Sequence, residues 1–241
     1  NSEGLSSVSI GSSNLTVNAG TAVTSNNNGA AVRSDRTVST LAVVITASSN
    51  SVSTLAKTGD NITLSITSSE AIQTPSVSIA GQAATETGDN ITWSAAYTMA
   101  GSDSQGSVSL NIGFSDLAGN AGIAVTSTKD GSAVQFDRTS PTLEEVTEFT
   151  TPSPDNRTSY IFHSTEAGTI AYGVCSGSLD NASEGNNTTT FDALADGTHS
   201  NCKISVTDNA SNTSDNLSVS PFTIGAITPA LAEIDPVDTP S

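Results

Sequence analysis

Ile62, Leu64 and Ile66 alternate with Asn61, Thr63 and Ser65, and Val108, Leu110, Ile112 and Phe114 alternate with Ser109, Asn111 and Gly113. A period of two marks a strand with one buried face. Strand-like runs rich in Val, Ile, Leu and Thr recur at 41–47, 61–67, 76–80, 90–99, 107–114, 121–126 and 132–136. They continue at 143–149, 158–163, 168–174, 188–191, 202–207 and 216–224. Turn-forming clusters lie between them: Thr58-Gly59-Asp60-Asn61, Gly81, Thr87-Gly88-Asp89-Asn90, Gly119-Asn120 and Asp130-Gly131. No amphipathic helix is visible, so the expected class is all-β.

The pattern repeats. Shifting the chain by 102 residues aligns 1–41 with 103–143 without a gap, and 22 of the 41 positions are identical. Asn18-Ala19-Gly20 falls on Asn120-Ala121-Gly122, and Asp35-Arg36-Thr37 falls on Asp137-Arg138-Thr139. A second shift, of 88, places 140–153 on 228–241 with six of 14 positions matched, including two prolines, Leu143 on Leu231 and Glu145 on Glu233. The phase of these repeats predicts four segments: 1–35 as the C-terminal half of a preceding repeat, 36–137 as a 102-residue repeat, 138–225 as an 88-residue repeat, and 226–241 as the start of another. It reads as a window cut from a tandem array, with strand-exchanged end pieces as the alternative.

Around seven short strands per ~100 residues is the pattern of an immunoglobulin-like β-sandwich. The expectation is tandem sandwiches arranged end to end. The stretches TSSEAI, FSDLAGN, VQFDRTSPTL, HSTEAGTIAYG and VTDNASN resemble bacterial immunoglobulin-like repeats, the tandem units of large surface adhesins and extracellular fibres. That resemblance implies an extracellular stalk on the bacterial cell surface, often rigidified by calcium at domain junctions.

Composition narrows the function. Twenty-four acidic residues against seven basic ones leave a net charge of −17. This argues against nucleic acid, whose phosphates demand Lys and Arg, and against anionic lipid. Acidic chains suit cations or solubility in salt water. Aromatics are 4% and charged residues 13%, with two His, which leaves little for acid–base chemistry. No run approaches a membrane span, and the opening NSEGLSSVSI reads as no signal peptide.

The acidic residues have a predicted place. In this topology the BC, DE and FG loops gather at the upstream pole of each sandwich, where the preceding linker arrives. Glu70 lies in the BC loop of the first full repeat and Asp116 to Asn120 form its FG loop; Glu166 and Asp208 to Asn212 occupy the same places in the second. The linkers bring Asp35 and Asp137. Three carboxylates with few cations nearby repel one another, and calcium accepts carboxylate, amide and backbone oxygens in irregular geometry. The expected sites are Asp35, Glu70 and Asp116, with Asn120, for one calcium, and Asp137, Glu166 and Asp208, with Asn212, for another. The competing reading is that Asp-x-x-x-Asn only closes a hairpin turn, or that Arg36 and Arg138 neutralise the acids. A Lys129-Asp130-Gly131 turn that reversed the chain would send Asp137 to the wrong pole. The leading half-repeat has Asn14 in the place of Asp116. The linker 222–228 has no Asp, so no site and a looser joint are expected there.

Cys175 and Cys202 end predicted strand C and begin predicted strand F, which are neighbours in this fold. An extracellular setting permits a disulfide, which would tether a loop at 176–201. Neither cysteine has CxxC spacing, so zinc is not indicated. No Gly-x-Ser-x-Gly, phosphate loop, HExxH or dinucleotide fingerprint is present. His163 reads as a surface position, His199 as a loop residue, and Glu144, Glu145 and Glu148 as a solvated strand face. Asn-x-Ser/Thr sequons such as Asn61-Ile-Thr63 follow from composition. The expected function is therefore structural and not enzymatic, with neighbouring repeats as partners. The alternatives are a filament subunit completed by strand exchange, or a module that binds a glycan or cell-surface ligand through 176–201, where Phe191 is the one aromatic.

Overall fold

The computed structural model describes residues 35–225. Contacts divide the chain into two compact units, Asn1–Thr37 and Val38–Ser241. The expected segments 1–34 and 226–241 lie outside the described residues. The described part of the second unit is all-β and contains two separate apolar cores.

The first core is enclosed by β1 (Leu41–Ser48), β2 (Leu55–Ala56), β3 (Asn61–Ser68), β4 (Ser76–Ile79), β5 (Gln82–Ala83), β6 (Thr85–Asp89), β7 (Thr92–Thr98), β8 (Gly106–Ser107), β9 (Leu110–Gly113) and β10 (Gln135–Phe136). One layer runs β1-β3-β7-β6, all antiparallel. Facing it are the ladders β5-β4-β9 and β2-β10-β8. These meet at Val108, whose N–H donates to the Val134 carbonyl. Ile62, Leu64 and Ile66 on β3 point inward, as their alternation predicts, against Ile79, Ile112, Val134 and Phe136 from the other layer. Each such side chain, fully buried, contributes about 1.5–3 kcal/mol.

The second core is enclosed by β11 (Leu143–Thr147), β12 (Ser159–Ser164), β13 (Gly168–Tyr172), β14 (Asn181–Ala182), β15 (Gly185–Thr190), β16 (Gly197–His199), β17 (Lys203–Asp208), β18 (Leu217–Ser218) and β19 (Phe222–Ile224). One layer is β11-β12-β15; the other is β14-β13-β17-β18, extended by β16-β19. Tyr160, Phe162 and Phe191 meet Ile170, Ile204, Val206 and Phe222 between them.

Some expectations are corrected. Thr85–Asp89, expected to end in a turn, is the edge strand β6, paired with β7. Its residues are mostly exposed, so no apolar alternation announced it. Gly88 is required there: its φ is +141°, and a Cβ would lie 2.3 Å from the Thr92 carbonyl oxygen. The expected strand 121–126 is only two isolated bridges, Ser115 to Ala121 and Ile112 to Val125. The segment 176–201, expected as a loop apart from the strand-like run 188–191, contains β14, β15 and β16, and β15 pairs along β12 over its whole length.

The Lys129-Asp130-Gly131 turn does exist, with Gly131 at φ +76°. It does not reverse the chain. Partners along the preceding strand run from Ser115 through Ile112 and Val108 to Gly106 as this segment runs from Ala121 through Val125 and Val134 to Phe136. The intervening excursion leans on β1, where the Lys129 N–H donates to the Val44 carbonyl and the Thr46 N–H to Ser132 Oγ. Direction is preserved, and Asp137 leaves the first sandwich at its downstream pole.

Candidate functional site

Between the two cores the chain passes through Asp137-Arg138-Thr139. The Asp137 N–H donates to the Ala56 carbonyl of the first repeat at 2.8 Å. Its Oδ1 accepts the Thr139 N–H at 2.9 Å, closing an Asx turn. Asp35 makes the same bond to Thr37, also at 2.9 Å. The central Asp-Arg-Thr of each repeated seam is thus a local turn device.

The upstream pole of the second repeat receives this linker. Thr142 and Thr165 join backbone to backbone and backbone to side chain; Thr40 and Ser69 do the same at the first repeat. The buried Ser164 hydroxyl donates to the Glu166 carbonyl, as the Ser68 hydroxyl does to Glu70. Asp208 accepts from Asn212 twice, Oδ1 from the N–H at 2.8 Å and Oδ2 from Nδ2 at 2.9 Å. Asp116 and Asn120 repeat the arrangement at 2.8 and 2.6 Å. These bonds hold the Asp116 carboxyl below its ordinary range, the Asn120 side chain having the largest effect. The hairpin-turn reading of Asp-x-x-x-Asn is therefore correct as far as it goes.

At the second repeat the turn carries more. One carboxylate oxygen from each of Asp137, Glu166 and Asp208 lies within 4.8 Å of the others. Asp208 is 8% exposed. Asn212 Nδ2 reaches the Asp137 carbonyl at 3.1 Å. Burial, then the charges of Asp137 and Asp208, push the Glu166 carboxyl up. Arg138 does not neutralise the cluster; its guanidinium donates to the Gly101 carbonyl of the first repeat. At the first repeat, Glu70 and Asp116 share the upstream pole, where Ile72 bridges Asp116 and Asp116 is only 2% exposed. Asp35 belongs to the other unit and is described with that unit alone. Among the described residues, the group that brings three such side chains together is the one at Asp137.

The other candidates fall out differently. Cys175 and Cys202 form a disulfide with Cα atoms 5.2 Å apart. His199 is on β16, not in a loop, stacked on Phe222 with a ring nitrogen 2.9 Å from the Ala195 carbonyl. Glu145 is not on a solvated face. Its Oε2 accepts from the Tyr160 hydroxyl at 3.0 Å and the Ser220 N–H at 2.9 Å, and its Oε1 is buried without a partner. Burial, and then this carboxylate, drive the Tyr160 phenol far above its ordinary range. Glu145→Ala strands both donors and is expected to cost about 1–3 kcal/mol, read as a lower urea midpoint for the second repeat. An unchanged midpoint would mean that water replaces the carboxylate. Phe191 is fully buried and presents no ring for a sugar to stack on.

Three side chains at the seam escaped sequence reasoning: Asn50, Lys57 and Asp60, at the downstream pole of the first repeat. Asn50 Nδ2 donates to the Ala210 carbonyl at 2.8 Å, and Lys57 Nζ to the Ser211 carbonyl at 2.7 Å. Both targets lie in the FG turn of the second repeat. Nothing in the spacing of Asn50 and Lys57 points to a loop some 150 residues away in sequence; the one available signal was the scarcity of lysine.

No known protein family matches the chain, and no curated protein matches it. Among solved structures it is similar to the Bacteroides ovatus mixed-linkage glucan utilization locus SGBP-B in complex with a mixed-linkage heptasaccharide, at 13% sequence identity and a TM-score of 0.23. The match covers 71% of this chain and 43% of that one. A likeness at that score assigns neither fold nor ligand to this chain.

Proposed function

We propose that this chain is a segment of a bacterial extracellular stalk or fibre, built of immunoglobulin-like sandwiches joined end to end and stiffened by calcium at the seam. The observation that carries the reading is Asp137. Its backbone is bonded to the first repeat, and its carboxylate lies within 4.8 Å of Glu166 and Asp208 of the second. The linker, residues 137–142, is short, and its first residue is bonded back to the first repeat. The strand order supports the fold assignment: after β1 the chain joins the opposite layer, where β2 runs parallel to β10, and Ser153 likewise pairs in parallel with Ile224 in the second repeat. The disulfide suits an oxidising, extracellular compartment. The role is structural, with no catalytic step and no membrane insertion, and the partners are neighbouring repeats.

The donor set fits calcium. It is all oxygen, three carboxylates plus nearby backbone carbonyls, with neither thiolate nor imidazole. Calcium holds oxygens at 2.3–2.6 Å, and ligands on opposite sides of such an ion are about 5 Å apart. A divalent cation here would remove the mutual repulsion that raises Glu166. Calcium is expected to release heat on titration and to raise the melting temperature, and Asp137→Asn is expected to weaken both effects. No heat and no shift with the wild-type chain would overturn the calcium assignment. Small-angle scattering tests the stalk itself: an elongated particle is expected, and sandwiches folded back side by side would overturn it.

A further inference from the structure

The two repeats are joined by a second device that contains no carboxylate–cation contact. It consists of Asn50 and Lys57, at the downstream pole of the first repeat, and the carbonyls of Ala210 and Ser211, in the FG turn of the second. The Asn50 carboxamide has every polar position in use: Oδ1 accepts the Val52 N–H at 3.1 Å, and Nδ2 donates to Asp60 Oδ2 at 2.7 Å and to the Ala210 carbonyl at 2.8 Å. Asp60 Oδ2 also accepts the Lys57 N–H at 2.8 Å, which fixes the backbone from which the Lys57 side chain reaches Ser211. Ser211 sits at φ +70°, closing a turn whose N–H is tied to the Asp208 carbonyl at 3.1 Å. Ala210, between them, is 3% exposed. Both sides are held before they meet, so little freedom is lost on contact.

Pairing register shows which seams can carry this device. In the first repeat, Phe136 pairs in parallel with Ala56, and the next residue, Asp137, donates its N–H to the Ala56 carbonyl. In the second repeat, Ile224 pairs in parallel with Ser153, and Gly225 donates its N–H to the Ser153 carbonyl. Ala56 therefore corresponds to Ser153, Asp137 to Gly225, and Lys57 to Pro154. A proline has no side-chain donor, and a glycine has no carboxylate. The downstream pole of the second repeat lacks both the lysine and the linker aspartate in one register.

We infer that Asn50 and Lys57 form a cation-independent lock, specific for an Asp-x-Ala-x-Asn turn, that sets the orientation of the second repeat on the first. The lock gives the array a direction. The 102-residue repeat grips the sandwich that follows it through Lys57, and the 88-residue repeat has Pro154 at the corresponding position. This rests on the end-to-end reading above and adds to it that the joint stays aligned without calcium.

Residual dipolar couplings on the whole chain in EDTA test the lock. The wild type is expected to fit one common alignment tensor for 38–137 and 138–225. Lys57→Met combined with Asn50→Ala is expected to lose the common tensor, while the amide spectra of both cores stay dispersed. Lys57→Arg, which keeps a donor, is expected to restore it when paired with native Asn50. A double variant that keeps one tensor in EDTA would overturn the lock and leave the stalk reading intact. A wild type that needs two tensors in EDTA but one in calcium would likewise overturn the lock alone. Two tensors in both conditions would overturn the lock and the rigid stalk together.

Discussion

Phe191→Ala is expected to destabilise the second repeat by about 3–5 kcal/mol, the cost of truncating a fully buried aromatic. The ring is 0% exposed and lies 5.8 Å from Tyr160, 5.9 Å from Phe149 and 6.1 Å from Phe222, centroid to centroid. Removing it opens a cavity among these rings, one of which, Tyr160, is held by its hydroxyl to Glu145. The two cores share no residues, and the single tryptophan, Trp93, is in the first. Calorimetry should show one transition falling while the Trp93 fluorescence transition stays in place. If the Trp93 transition falls with it, the two repeats unfold as one body and are more cooperative than local stacking predicts.

Losing the disulfide is the other large effect. Cys175 and Cys202 are 27 residues apart in sequence, and opening a loop of that size is expected to cost about 3–4 kcal/mol in the chain-entropy account. The second repeat is smaller than the first and has few aliphatic side chains on β15, whose sequence is Gly-Asn-Asn-Thr-Thr-Thr. The loop closed by the disulfide contains that strand, so the bond ties β15 to the core at both ends of its segment. Cys175→Ser with Cys202→Ser is expected to lower the melting temperature of the second repeat, with the Trp93 transition again unmoved. Equal melting with and without reductant, with both thiols shown to be labelled, would remove the disulfide from the list of stabilising features.

Much of this was legible beforehand, for local reasons. The alternation of Ile62, Leu64 and Ile66 is a property of one strand, and the face it buries needs no partner to be named. The turns at Thr58 to Asn61 and Gly119-Asn120 follow from residues that tolerate left-handed backbone or cap their own chain. The pole of Glu166 and Asp208 followed from counting strands, and the structure places their carboxylates with that of Asp137. Where local signal was absent, the reading failed. β6 is an exposed edge strand, so its polar sequence resembled a turn. β15 begins Gly-Asn-Asn, so only its end, within the run 188–191, read as a strand, although the pairing starts at Gly185; Thr189 is buried and Phe191 just beyond it anchors the core.

The sequence by itself determined the all-β class, the two periods of repetition and the meeting of Asp137, Glu166 and Asp208 at one pole, because alternation, turn chemistry and strand count are carried by neighbouring residues. Only the tertiary structure decided which donor meets which acceptor. Lys57 meets Ser211, Asn50 meets Ala210 and Arg138 meets Gly101 because two separately folded poles are pressed together. A hydrogen bond requires its atoms to lie within about 3 Å, a distance that sequence position does not encode. The register that sets Pro154 where Lys57 stands, and Gly225 where Asp137 stands, is likewise a fact of strand pairing.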